Sequence, residues 1–118
     1  MSDRDNQGQE RAELRTVLRE LQTGLRKLYG KSAPAILLYG SYARGQAHKD
    51  SDIDILLIYQ KDIRPGEEIR RVGSILAELN LRYQVLISVL PTTRRQYYDS
   101  DNSFWSNVRR EGIPIEAL

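Results

Sequence analysis

Apolar positions change their spacing several times along the chain, and each change marks an element. Leu14, Val17, Leu18, Leu21, Leu25 and Leu28 recur at steps of three and four, which places them in one stripe of a helix starting near Glu10. Met1 to Gln9 has no apolar stripe to bury and is expected to be disordered. Gly30 suits the residue just beyond the helix, and Pro34 biases Ala33 away from helical backbone. Two unbroken apolar runs, Ala35 to Tyr39 and Ile55 to Tyr59, then have the length and composition of buried strands. Gln60 to Gly66 reads as a loop. Ile69, Val72, Ile75, Leu76 and Leu79 return to helical spacing, with Glu67 and Glu68 in the first turn and Asn80 as a stop. Gly73, inside that helix, suggests close packing against a sheet. Residues 82–90 read as a third strand ended by Pro91. Thr92 or Thr93 caps a short helix through Tyr98, and residues 99–102 turn. Ser103 caps a last helix, Phe104 to Glu111, with Gly112 at its end and Pro114 beyond.

Between the two strand-like runs lies Gly40-Ser-Tyr-Ala-Arg-Gly-Gln-Ala-His-Lys-Asp-Ser-Asp-Ile-Asp54, the stretch that carries chemistry. Side chains alternate along a strand, so Asp52 and Asp54 share a face and Ile53 points away. Two carboxylates side by side repel and lose hydration, and a cation between them removes both costs. Oxygen-only ligands favour Mg2+ or Mn2+ over Zn2+. Gly40 permits close approach of backbone to a phosphate, and a helix starting after Ser41 would aim its free N–H groups at the same place. Ser41 is then a hydroxyl donor or simply the helix cap. Arg44, one turn later, is placed to reach a phosphate or to brace the loop through Asp50 or Asp52.

Ser41 and Asp52 are separated by ten residues, giving Gly-Ser-x10-Asp-x-Asp. This resembles the signature of the minimal nucleotidyltransferases of the DNA polymerase β-like superfamily. The finer text, Gly-Ser-Tyr-Ala-Arg-Gly followed by Asp-Ser-Asp-Ile-Asp-Ile-Leu-Leu, is similar to that family over residues 34–60. The closing Asn107-Val-Arg-Arg-Glu-Gly-Ile is similar to tails of its small members. The resemblance implies an α/β fold of α+β type, a small mixed β-sheet with helices packed mainly on one face and the acidic face open. With a helix after Ser41 the element order becomes α-β-α-β-α-β-α-α, in one domain spanning residues 1–118.

The same resemblance implies transfer of a nucleoside monophosphate, typically AMP from ATP, to a hydroxyl. Asp52 and Asp54 would serve as catalytic and metal-binding residues for Mg2+ or Mn2+, and Gly40, Ser41 and Arg44 would hold the triphosphate. Small members resemble antitoxins that modify a HEPN-type ribonuclease toxin, which makes such a protein the expected partner. Family members usually carry a third carboxylate on a later strand. Here that strand reads Val85-Leu-Ile-Ser-Val89, with Leu86 or Ser88 at the matching position and Gln84 beside them. The alternative is therefore a module that keeps the fold and neutralises a partner by binding alone, through the aromatic surface of residues 97–108.

Bulk properties remove other classes. A net charge of +2, with 18 basic against 16 acidic residues, gives no strong nucleic-acid footprint and no polybasic membrane anchor. Arg11, Arg15, Arg19 and Arg26 lie off the helical stripe and read as a solvated face. The absence of cysteine excludes disulfides, a thiolate nucleophile and a Cys-ligated zinc. No apolar run reaches the length of a membrane span and no signal-peptide core is visible, so a cytoplasmic protein is expected. His48, the only histidine, reads as an exposed loop residue.

Overall fold

The computed structural model describes residues 3–48 and 50–118, the first ten of them by backbone course alone. The leucine stripe builds α1 (Asp3–Tyr29). Val17, Leu18, Leu21 and Leu25 are wholly buried, each worth about 2 kcal/mol relative to exposure. Helix α1 begins at Asp3, ahead of its buried stripe. Met1 and Ser2 lie outside the described residues. Leu28 falls off the buried stripe and is 39% exposed.

Strands β1 (Ala35–Tyr39) and β2 (Ile53–Tyr59) pair antiparallel, with Leu37 opposite Leu56 and Tyr39 opposite Asp54. From β2 the chain crosses over through α2 (Pro65–Tyr83) and returns as β3 (Ile87–Thr93), parallel to β2. Two short helices, α3 (Arg94–Asp99) and α4 (Ser103–Glu111), lead to β4 (Ile113–Pro114), antiparallel to β1. The sheet order is β3-β2-β1-β4. This is a four-stranded mixed sheet in an α/β arrangement, with a short edge strand that sequence pattern had not shown.

Strand alternation sorts the core into two clusters. Ile36, Leu38, Ile53, Ile55, Leu57 and Tyr59 pack against α1 and α2 on one face. Leu37 and Leu56 meet Trp105 and Val108 of α4 on the other. The two long helices thus share one face, and the nine-residue α4 lies over part of the opposite one. Close helix packing falls at Gly24 of α1, where a Cβ would stand 3.0 Å from Ile75 Cγ2. The space around Gly73 is open, so the expectation of close packing there is not met. Ile69 is likewise exposed, at 44%.

Several boundaries move for local reasons. Pro65 occupies the first turn of α2, so that helix starts inside the expected loop. It runs past Asn80 to Tyr83 and ends on a left-handed Gln84 (φ 52°). Asn80 acts instead on the next strand. Its Oδ1 accepts the Ile87 N–H (2.9 Å) and fixes the start of β3. Pro91 lies within β3 instead of ending it, as an edge strand permits. Thr93 caps α3 as expected, accepting the Gln96 N–H, whereas α4 is capped by Asn102 through the Trp105 N–H and not by Ser103. No helix among the described residues is long and apolar enough to cross a membrane.

Candidate active site

Gly40 leaves β1 with φ +76°, a left-handed conformation that costs other residues free energy. A Cβ on Gly40 would overlap Asp54 Oδ2, so the carboxylate occupies the space that the missing side chain vacates. The chain then makes a single helical turn. Arg44 N–H donates to Gly40 O (3.1 Å), Gly45 N–H to Tyr42 O (3.3 Å) and Gln46 N–H to Ser41 O (2.9 Å). The last two bonds, with Gly45 at φ +70°, form a Schellman closure that ends the turn at once. The expected helix after Ser41 is therefore one turn long, and Ser41 is not a helix cap. The loop closes through His48, which is exposed and whose backbone N–H donates to Ser51 Oγ (2.9 Å). Lys49 lies outside the described residues.

Asp52 sits immediately before β2 and is exposed; Asp54 is the second residue of that strand and is half-buried. β2 is a central strand, so Asp54 is flanked on its own face by Tyr39 of β1 and Ser88 of β3, its cross-strand partners. Leu86 O accepts the Ile53 N–H (2.8 Å), which brings Leu86 alongside the Asp52 end. The strand that could have offered a third acid thus presents Ser88 beside Asp54 and an exposed Leu86 before it. Among the described residues, no group of three or more His, Cys, Asp or Glu side chains is arranged to hold a metal ion.

The electrostatics follow from this placement. Burial pushes the Asp54 carboxyl above its ordinary range, the Asp52 charge pushes it further, and Arg44 pulls against both. Tyr39 is raised by burial and then by the Asp54 charge. A divalent cation fits such a pair, since it would offset the burial and the repulsion together, although among the described residues only two carboxylates are placed for it. Arg44 forms its ion pair with neither Asp50 nor Asp52. Its Nη1 reaches Glu111 Oε2 (3.4 Å) and its Nε donates to Gln46 Oε1 (3.2 Å). Glu111 ends α4, and Phe104 near the start of that helix meets Tyr39 edge-on at 6.1 Å. Sequence spacing could not show either contact, because both depend on where α4 docks.

The fold and the Gly-Ser/Asp-x-Asp arrangement define a nucleotidyltransferase. A family model for the nucleotidyltransferase domain matches residues 18–107, and the chain belongs to that family. A candidate protein adenylyltransferase of Methanocaldococcus jannaschii is 32% identical over 97 residues, covering 81% of this chain and 91% of that protein. A second from the same organism is 30% identical over 124 aligned positions, covering 86% and 82%. Among solved structures, a toxin–antitoxin complex with AMP-PNP contains a chain of similar fold (TM-score 0.54, 17% identity, 80% of this chain and 69% of that one). A mutant of the MntA–HpeT toxin–antitoxin pair is similar to the same degree (TM-score 0.53, 15% identity, 79% and 68%).

Proposed function

We propose that this nucleotidyltransferase moves AMP from ATP to a hydroxyl of a HEPN-type partner protein and so acts, in the cytoplasm, as an antitoxin. The observation that carries the reading is the half-buried Asp54, seated against Gly40 with a second carboxylate two residues before it and, among the described residues, no cationic side chain in an ion pair with either. The relatives named for protein adenylylation and the fold shared with toxin–antitoxin chains, one of them with AMP-PNP, support the substrate and partner classes. Asp52 and Asp54 would hold Mg2+ or Mn2+, which would supply charge neutralisation at the triphosphate; the acceptor hydroxyl attacks the α-phosphate in line and pyrophosphate leaves. The Gly40 backbone, the Ser41 hydroxyl and Arg44 hold the β- and γ-phosphates. Neither Leu86 nor Ser88 is a base, so the acceptor's proton passes to water, substrate or partner.

The test is transfer of label from ATP with Mg2+ to the protein encoded beside this one. Wild type should label it, and Asp52→Asn with Asp54→Asn should lower labelling by about three orders of magnitude, the scale of losing a catalytic charge array. Absence of transfer with every nucleoside triphosphate defeats the enzymatic reading.

The absence of an acid at Leu86 and Ser88 favours a second reading, neutralisation by binding alone through the surface that includes the exposed Tyr98 and Phe104. The double asparagine variant separates the two. Continued neutralisation in cells supports binding alone; loss of neutralisation with the complex intact supports chemistry.

A further inference from the structure

Arg44 lies where its charge is felt by Asp54, yet its guanidinium is drawn to Glu111. Glu111 is held independently of the loop it grips. It ends α4, whose Trp105 and Val108 are buried against Leu37 and Leu56. The next residue, Gly112, packs so tightly that a Cβ there would stand 2.6 Å from Leu37 Cδ2, and Ile113 then pairs with Leu38. The backbone of Glu111 is thereby tied to β1, the strand that delivers Gly40. Arg44, by contrast, is itself exposed at the end of a single turn that no strand follows directly. An arginine fork binds carboxylates through two parallel hydrogen bonds, and in the absence of Glu111 a carboxylate left within reach of its charge is Asp54, one of the two that a cation needs.

We propose that Glu111 is a positioning residue: it holds Arg44 off the Asp52–Asp54 pair, leaving both carboxylates to a divalent cation and the guanidinium to the phosphates that the cation carries. This rests on the metal–triphosphate reading of the site given above. The pair is exposed enough to be modest in strength, with side-chain exposures of 42% for Arg44 and 29% for Glu111. Its effect lies in where it keeps the arginine.

Calorimetric titration of Mn2+ in the presence of AMP-PNP tests this on four proteins: wild type, Glu111→Gln, Arg44→Ala and the double variant. Glu111→Gln should weaken Mn2+ binding about threefold, the scale of a surface ion pair, and should also weaken AMP-PNP. The same substitution should change nothing in the Arg44→Ala background, since no guanidinium is left to fall onto the aspartates. An equal loss in that background would show Glu111 to act only as a distant negative charge and would overturn the proposal. Unchanged Mn2+ binding in Glu111→Gln, or tighter AMP-PNP binding, overturns it too, the latter by showing that Glu111 competes with phosphate. If wild type itself binds neither Mn2+ nor AMP-PNP, the reading of the whole site fails, and the proposal fails with it.

Discussion

At the far end of β2 from Asp54, Tyr59 joins Tyr29, Glu68 and Arg71 in a cluster where each charge is answered. The Tyr29 hydroxyl donates to Glu68 Oε2 (2.7 Å) and lies 3.0 Å from the Tyr59 hydroxyl. Arg71 reaches Glu68 Oε1 at 3.3 Å while its guanidinium lies 4.6 Å from the centre of the Tyr29 ring. Burial and the Tyr29 hydrogen bond push the Tyr59 hydroxyl far above its usual range, so it stays neutral. Glu68 is only 8% exposed and has two kinds of donor. At the Asp54 end the arrangement is reversed. Like charges are neighbours, and Arg44 beside them is engaged elsewhere. The first cluster fastens α1, β2 and α2 together. The second leaves two neighbouring carboxylates without an ion pair among the described residues, as the proposed cation site requires.

Four substitutions sharpen or break this contrast. Glu68→Ala should cost the most stability, about 2–3 kcal/mol in urea denaturation, because it removes the charged acceptor of the half-buried Tyr29 hydroxyl and the ion-pair partner of Arg71 together. Its metal affinity should match wild type once folded; a parallel loss of Mn2+ binding would mean that the two ends are coupled. Gly40→Ala should cost about 1–2 kcal/mol for a left-handed alanine and should also displace the Asp54 carboxylate, abolishing the coupling by which AMP-PNP, adding phosphate oxygens, is expected to tighten Mn2+ binding. Stability lost with coupling intact would separate Gly40 from the site. Ser88→Asp places an acid across from Asp54 in register, and calorimetry should show Mn2+ affinity rising about tenfold, the worth of roughly 1.4 kcal/mol. A comparably strong effect at Leu86, with none at Ser88, would shift the metal toward Asp52.

The smallest effect concerns pH. The Asp54 carboxyl is raised in the folded state, so its ionisation costs stability above that raised value. As pH falls through the window between the raised folded value and the ordinary unfolded one, the cost is relieved. Asp54→Asn should therefore be more stable than wild type at neutral pH, by no more than about 1 kcal/mol after solvent screening, with the gap closing toward the ordinary carboxylate range. Thermal denaturation against pH reads this directly. A variant less stable at neutral pH would show that Asp54 is held by favourable contacts and belongs with Glu68.

Local signals made much of this legible. Ala35–Tyr39 is a strand over its whole predicted length, because both its faces are covered and its residues form an unbroken apolar run. The buried positions of α1 up to Leu25, and the Gly-Ser and Asp-x-Asp ends of the loop, were equally plain. Errors arose where two local signals competed. Val85 and Leu86 continue an apolar run into residues that do not pair as strand, while Pro91 looks like a terminator but lies on a sheet edge. Gly45 closes the turn after Ser41, and its left-handed role was hidden behind the expectation of a helix. The Arg44–Glu111 pair joins residues 67 positions apart and is set by the docking of α4, which no periodicity records.

Pro91 has one more consequence, for how this chain can meet another. In the parallel register of β3 on β2, with Ile53 donating to Leu86 O, the N–H groups of residues 87, 89, 91 and 93 face away from the sheet. The first of these is taken by Asn80 Oδ1, and the third does not exist because the residue is proline. Val89 and Thr93 are what that border retains. At the other border β4 is two residues long before the chain turns into a 3-10 helix at Ile115. Neither margin offers the continuous row of donors and acceptors that an added strand requires. Strand addition is thereby disfavoured at both margins, which leaves side chains on the helical and loop surfaces as the features a partner would recognise.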